Sequence, residues 1–70
     1  MYDAGIAIAR LIALLNQLDS ASTYEIYTGA LYYNIYKDGE CALRQNINSM
    51  DSYVNILCYL TQELYLKIGD

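Results

Sequence analysis

Residues 24–44, YEIYTGALYYNIYKDGECALR, decide the fold that we expect for this chain. The segment holds five of the nine tyrosines and two glycine-containing turn signals. Strand-forming residues separated by such turns are typical of antiparallel strands joined by short loops. We therefore predict a three-stranded antiparallel meander at about residues 23–28, 31–36 and 40–45. The alternative is one long strand from Thr23 to Tyr36, with Gly29 as a bulge.

The Asp38-Gly39 pair marks the second turn, and the sorting of polar from apolar side chains selects its register. A two-residue loop would pair Lys37 with Glu40 and mix polar and apolar residues on each face. A three-residue loop that adds Lys37, with Gly39 left-handed in a bulge, pairs Tyr36 with Glu40. This register places polar and apolar residues on separate faces of the sheet. Because a one-residue slip moves every side chain to the opposite face, we predict the three-residue loop.

At the first turn, Gly29-Ala30 suits a type II′ loop that pairs Thr28 with Leu31. The two turns together assign the strand residues to two faces. The inner face, toward the helices, then holds Tyr24, Ile26, Leu31, Tyr33, Ile35, Cys41 and Leu43. The outer face holds Glu25, Tyr27, Tyr32, Asn34, Tyr36, Glu40, Ala42 and Arg44.

Amphipathic helices are predicted on both sides of the strand segment, at about 4–18, with Asp3 as N-cap, and at about 50–67. The fold class is therefore α+β in the order αβββα, with both helices packed on one face of the meander. The core-facing residues of the first helix are Ala4, Ala7, Ile8, Leu11, Ile12, Leu14, Leu15 and Leu18. The core-facing stripe of the second helix is Met50, Tyr53, Leu57, Leu60, Leu64 and Ile68.

Each helix also carries residues outside its core stripe that we predict to form an oligomer interface. On the first helix, Gly5, Ala9 and Ala13 are spaced by four, and small residues at that spacing let another backbone approach. Ile6 lies beside this ridge. The alternative is that alanine is simply a good helix former. On the second helix the predicted interface residues are Ile56, Tyr59 and Leu66.

Length and composition limit what the chain can do alone. Seventy residues make one domain, 1–70, and a chain of this size buries only about 60% of its unfolded surface. Yet 56% of the residues are hydrophobic and only 17% are charged, which is more apolar surface than one small core can hide. We therefore expect a homo-oligomer, most simply a homodimer, or a tight protein partner.

Charge and hydropathy argue against several classes of protein. The net charge is −4 and the four basic residues are scattered, so we expect neither direct nucleic-acid binding nor membrane association. Residues 4–15, AGIAIARLIALL, are too short to span a bilayer and lack the flanks of a signal peptide. We expect a cytoplasmic protein in which Cys41 and Cys58 stay reduced.

The sequence offers little for catalysis or metal binding. It contains no histidine, so the commonest general base is absent and the two cysteines cannot complete a zinc site. Glu25 and Glu40 could form a carboxylate pair on the outer face, yet glutamates on a solvated face more often serve solubility. We therefore expect no enzyme, with no catalytic residues, no metal and no cofactor.

The outer sheet face is the feature with functional content. Tyrosine supplies fairly rigid contact area with a polar tip, and arginine is also enriched at binding hot spots. The alternative is that tyrosine is only a good strand former. The predicted partner-binding residues are Tyr27, Tyr32, Tyr36, Glu25, Asn34, Glu40 and Arg44.

These features predict a small acidic protein-binding module that acts as an inhibitor by occlusion. Its size and acidity suit a viral or mobile-element protein directed against a host defence. If the target handles nucleic acids, Glu25, Glu40 and the tyrosines would meet its basic groove. Two alternatives stay open: a dimer that sequesters a nucleotide or other small ligand between tyrosines, and a structural subunit of a larger assembly.

Overall fold

A computed structural model describes residues 4–18 and 21–69 of the chain. Its elements are α1 (Ala4–Leu18), β1 (Tyr24–Thr28), β2 (Tyr32–Lys37), β3 (Glu40–Asn46) and α2 (Met50–Ile68). The strands form one antiparallel sheet in the order β1-β2-β3, so the predicted α+β fold is confirmed and the single long strand is wrong. The predicted N-cap Asp3 and the side chain of Ala4 lie outside the described residues.

Both helices pack on the same face of the sheet, and the core lies between these two layers. Burial of apolar side chains from α1, α2 and the sheet makes the main contribution to the stability of a chain of this size. The fully buried cluster takes residues from the sheet, from α1 and from α2: Tyr24, Ile35, Ile8, Ile12, Leu15, Ile56 and Leu60.

On α1 the buried arc is narrower than the sequence predicts. Leu14 and Leu18 are exposed, so their prediction as core residues is wrong. The helix is oriented by Asn16, whose side-chain amide hydrogen-bonds to the backbone of Tyr24 on β1. With Asn16 directed at β1, Leu14 points away from the sheet.

On α2 the predicted core stripe is confirmed in its middle and wrong at its ends, because Leu60 is buried and Tyr53, Leu57 and Leu64 pack against the core. Met50 and Ile68 were predicted in the core but are 90% and 69% exposed. Ile56 was predicted at an exposed interface but is fully buried. Two apolar stripes run along this helix, and periodicity alone cannot say which one meets the sheet.

The second hairpin turns through a two-residue loop, so the predicted three-residue loop is wrong. Lys37 pairs with Glu40, and the loop residues Asp38 and Gly39 have φ values of 54° and 84°. Two successive left-handed residues are the mark of a type I′ turn, whose twist matches that of the flanking strands. Turn geometry therefore outweighs the sorting of polarity next to the loop.

A β-bulge follows this turn and restores the sorting of polarity. Tyr36 pairs with Cys41 but Ile35 pairs with Leu43, so Ala42 is an extra residue in β3. Beyond the bulge the β3 residues lie on their predicted faces. Between turn and bulge the faces are exchanged: Cys41 lies on the outer side and Glu40 on the helix side, contrary to prediction.

The first hairpin turns one residue later than predicted. The Gly29 amide donates a hydrogen bond to the Tyr32 carbonyl at 3.0 Å, so the loop is Ala30-Leu31. Gly29 is outside the left-handed region, and the type II′ prediction is wrong. Leu31 is exposed in the loop and does not lie on the inner face. Moving the turn by one residue shifts each partner by two, which leaves the other side chains on their predicted faces.

Candidate functional site

The outer sheet face has neither helix over it and carries side chains from all three strands. The strand register places Glu25 opposite Tyr36, and Asn34 between Tyr27 and Arg44. Alternation along each strand puts these side chains on the side opposite the core. We define the tyrosine face by six residues: Glu25, Tyr27, Tyr32, Asn34, Tyr36 and Arg44.

Two aromatic rings of the tyrosine face pack against each other. Tyr27 and Tyr36 pack edge to face, with ring centroids 5.2 Å apart and planes at 90°. The Tyr27 hydroxyl donates a hydrogen bond to Glu25 Oε2 at 2.6 Å. This bond and the carboxylate charge raise the pKa of Tyr27, so its hydroxyl stays protonated at neutral pH. Tyr27 is nevertheless 55% exposed, and a rigid ring is therefore available on the surface.

Arg44 is held in a similar way at the other end of the face. Its guanidinium carbon lies 5.5 Å from the ring centroid of Tyr32, within the range of a cation–π contact. Its Nε donates a hydrogen bond to Asn34 Oδ1 at 2.9 Å. Arg44 and Tyr32 are both exposed, so the charge is oriented before any partner arrives.

A shallow depression lies at the turn end of the tyrosine face. It has a volume of about 350 Å³ and is lined by Glu25, Tyr27, Tyr36 and Gly39. Gly39 contributes no side chain, which leaves the edges of the two rings open beside the carboxylate. Aromatic rings beside a carboxylate form a suitable environment for a cationic group.

The structure brings together six of the seven residues that the sequence predicted for partner binding. The exception is Glu40, which lies opposite Lys37 on the helix side of the sheet. Glu25 and Glu40 are thus on opposite faces, and the carboxylate pair weighed above does not form. Cys41 takes an outer position opposite Tyr36 and is exposed, contrary to prediction, because the turn has two residues and not three.

A second polar cluster, on the helix side, was not predicted. Tyr24 and Lys37 both donate hydrogen bonds to Glu63 Oε1, at 3.1 and 2.7 Å. The bond from Lys37 lowers the pKa of Glu63, while burial raises the pKa of Tyr24. The Lys67 ammonium lies 5.9 Å from the Tyr24 ring centroid, and its charge also lowers the pKa of Glu63. This cluster links α2 to β1 and β2.

The residues predicted at an oligomer interface do not form one surface. Gly5, Ile6, Ala9 and Ala13 are all exposed along α1. On α2, Leu66 is exposed, but Tyr59 is half-buried against the core and Ile56 is inside it. The predicted patch on α2 is therefore wrong, because the buried face of this helix extends to Ile56 and Tyr59.

The described part of the chain has neither a metal-binding cluster nor a membrane-spanning helix. Within residues 4–18 and 21–69, no group of three or more Cys, Asp or Glu side chains could hold a metal ion. No helix in these ranges has the length and hydropathy needed to cross a bilayer. Comparison with known protein families, curated proteins and solved structures finds no significant match.

Proposed function

We propose that this protein is a small, non-enzymatic protein-binding module that docks another protein on its tyrosine face. One observation carries the proposal: three tyrosines and an arginine lie together on a sheet face that neither helix covers. Tyrosine and arginine are enriched at the energetic centres of protein interfaces.

The contacts within the tyrosine face support this function. The pairs Tyr27–Tyr36 and Tyr32–Arg44 are already packed in the free protein. Side chains that are fixed before binding lose less conformational entropy when a partner docks. The face is therefore preorganised for a protein surface.

Charge indicates the kind of partner. The chain carries a net charge of −4, and Glu25 lies with two ring edges in the depression near the turn. A lysine or arginine of the partner would gain both a carboxylate and aromatic contacts there. Basic grooves of this kind occur on proteins that handle nucleic acids. Occlusion of such a groove by a viral or mobile-element inhibitor in the cytoplasm is the setting that we propose.

The test uses the wild-type chain and two variants as baits for affinity capture with quantitative mass spectrometry. Tyr27→Ala combined with Tyr32→Ala removes two exposed rings and should eliminate capture of the specific partner. Ile6→Ala, which truncates an exposed apolar side chain on α1, should retain it. For the captured partner, calorimetry should show at least a roughly 30-fold loss of affinity in the double variant.

Circular dichroism and urea unfolding would establish that both variants are folded. If a folded double variant captures and binds the same partner as the wild type, the tyrosine face is not the docking site and the proposal is wrong.

A further inference from the structure

We propose that the exposed apolar stripe of α2 is a homodimer interface, in which the α2 helices of two copies pair antiparallel. We define the α2 stripe by residues that share one side of the helix: Val54, Leu57, Cys58, Thr61, Tyr65 and Ile68. This inference goes beyond docking on the tyrosine face and does not depend on it.

The α2 stripe is apolar and, apart from Leu57, which packs partly against the core, it is uncovered in the single chain. Val54, Tyr65 and Ile68 are 55%, 78% and 69% exposed, and Cys58 and Thr61 are exposed as well. A depression of about 590 Å³ lies along it, lined by Val54, Leu57, Cys58, Thr61, Gln62 and Tyr65. None of these residues is charged. A continuous exposed apolar surface of this kind marks an interaction site.

The direction of the α2 stripe leaves room for a second layer of helices. At 100° per residue, its centre lies about 150° around the helix from the buried face formed by Ser52, Ile56 and Leu60. It therefore points away from the sheet. A body docked on it would stack on the helices without touching the tyrosine face.

The spacing of four of the six residues of the α2 stripe suits a two-fold contact with another copy of the same helix. Val54, Cys58, Thr61 and Tyr65 are spaced by four, three and four residues, which reads identically in both directions. In an antiparallel pair, Val54 of one copy therefore meets Tyr65 of the other, and Cys58 meets Thr61. The small side chains at the centre allow close approach, and the larger ones fill the ends.

Charge does not oppose a second copy at the α2 stripe. Each chain carries a net charge of −4, so two copies repel at most surfaces. The α2 stripe contains no ionisable carboxylate or ammonium group, and pairing there buries no charge. Antiparallel helices also bring opposite ends of their dipoles together.

The area of the contact sets the expected strength. Residues 54–68 span about 21 Å of helix at 1.5 Å per residue. A single pair of helices in contact over that length buries less surface than the roughly 800 Å² per partner of a standard interface. We therefore expect a dimer that forms at high protein concentration and dissociates on dilution.

Light scattering across a hundredfold dilution tests the dimer. The wild type should have twice the chain mass of 8.0 kDa at high concentration and approach the single mass when dilute. Thr61→Arg places a charge at the centre of the seam on an exposed position and should remain monomeric throughout. Ala9→Arg, on the exposed side of α1, should dimerise like the wild type.

A wild type that is monomeric at every concentration would overturn the proposal. So would a folded Thr61→Arg variant that dimerises normally. Loss of dimer in Ala9→Arg, with dimer retained in Thr61→Arg, would assign the interface to the small-residue ridge of α1 instead.

Disulfide cross-linking tests the antiparallel arrangement. In a background of Cys41→Ser and Cys58→Ser, the combination of Val54→Cys and Tyr65→Cys should give a covalent dimer on oxidation. Within one helix these positions are about 16 Å apart, too far for an internal bond. Val54→Cys alone should stay uncross-linked. Efficient cross-linking of that single variant, or none in the double variant, would contradict the arrangement.

Discussion

Glu63 is a side chain that joins three elements of this protein. It lies on α2 and accepts hydrogen bonds from Tyr24 on β1 and Lys37 on β2. Its side chain is 13% exposed, whereas that of Lys37 is 37% exposed, so solvent weakens the ion pair. Hydrogen bonding to a carboxylate that is largely removed from water makes the greater contribution to stability.

The stability of the protein should depend on the protonation of Glu63. The folded-state pKa of Glu63 is lowered, mainly by the hydrogen bond from Lys37. Its contribution to the free energy of unfolding is therefore present above the unfolded-state pKa of about 4.3 and is lost as the pH falls through the folded-state pKa. Glu63→Gln should cost about 1–2 kcal/mol at pH 7 and less at pH 3. Urea unfolding at the two pH values measures both.

Glu25→Gln is the matched control, because Glu25 is exposed and glutamine can still accept the Tyr27 hydrogen bond. It should change the free energy of unfolding at pH 7 by no more than about 0.5 kcal/mol. If Glu63→Gln lowers the free energy of unfolding equally at pH 7 and pH 3, the charge of Glu63 contributes nothing to stability.

At the scale of elements, the side-chain amide of Asn16 joins α1 to the edge strand β1. Asn16 Nδ2 donates to the Tyr24 carbonyl at 3.0 Å, and the Tyr24 amide donates to Asn16 Oδ1 at 2.8 Å. This side chain thus pairs with β1 as a neighbouring strand would. It satisfies backbone groups on an edge strand and covers part of that edge.

Removing this amide should weaken the attachment of α1. Asn16→Ala leaves the Tyr24 N–H and C=O groups without their partners, and we expect a loss of about 1–2 kcal/mol in the free energy of unfolding. Hydrogen exchange of the Tyr24 amide should accelerate in the same variant. Gln17→Ala, at the exposed next position, is the control. If the two variants unfold alike, the bidentate contact does not stabilise the fold.

At the scale of the whole molecule, the α2 dimer would make a four-layer particle of sheet, helices, helices and sheet. The two tyrosine faces would then lie on opposite outer surfaces. A particle of this kind binds two partner molecules, or two sites on one assembly, and gains avidity where both can be engaged.

Dimerisation should also appear in thermal unfolding. Because folding is linked to association, a tenfold rise in protein concentration should raise the Tm of the wild type by about 3–5 °C. The Tm of Thr61→Arg should not change with concentration. Scanning calorimetry over two decades of concentration measures this, and a wild-type Tm that stays constant would contradict a dissociating dimer.

The sequence by itself determined the number, type and order of the elements, and most of the tyrosine face. Apolar periodicity and the turn residues are local properties, and so is the alternation of side chains along a strand. For that reason Glu25, Tyr27 and Asn34 could be assigned to one face even though the first turn lies one residue later than predicted and the second is one residue shorter. A shift of strand partners by two preserves the face.

Only the tertiary structure decided how far the buried face of α2 extends, the bulge at Ala42 and the partners of Glu63. Two stripes of α2 are apolar, and the choice between them depends on contacts with residues far away in the chain. The two-residue turn at Asp38-Gly39 is favoured by sheet twist, and the bulge then restores the inner face. These outcomes minimise the free energy of the whole packed molecule, and no single segment contains the terms that set them.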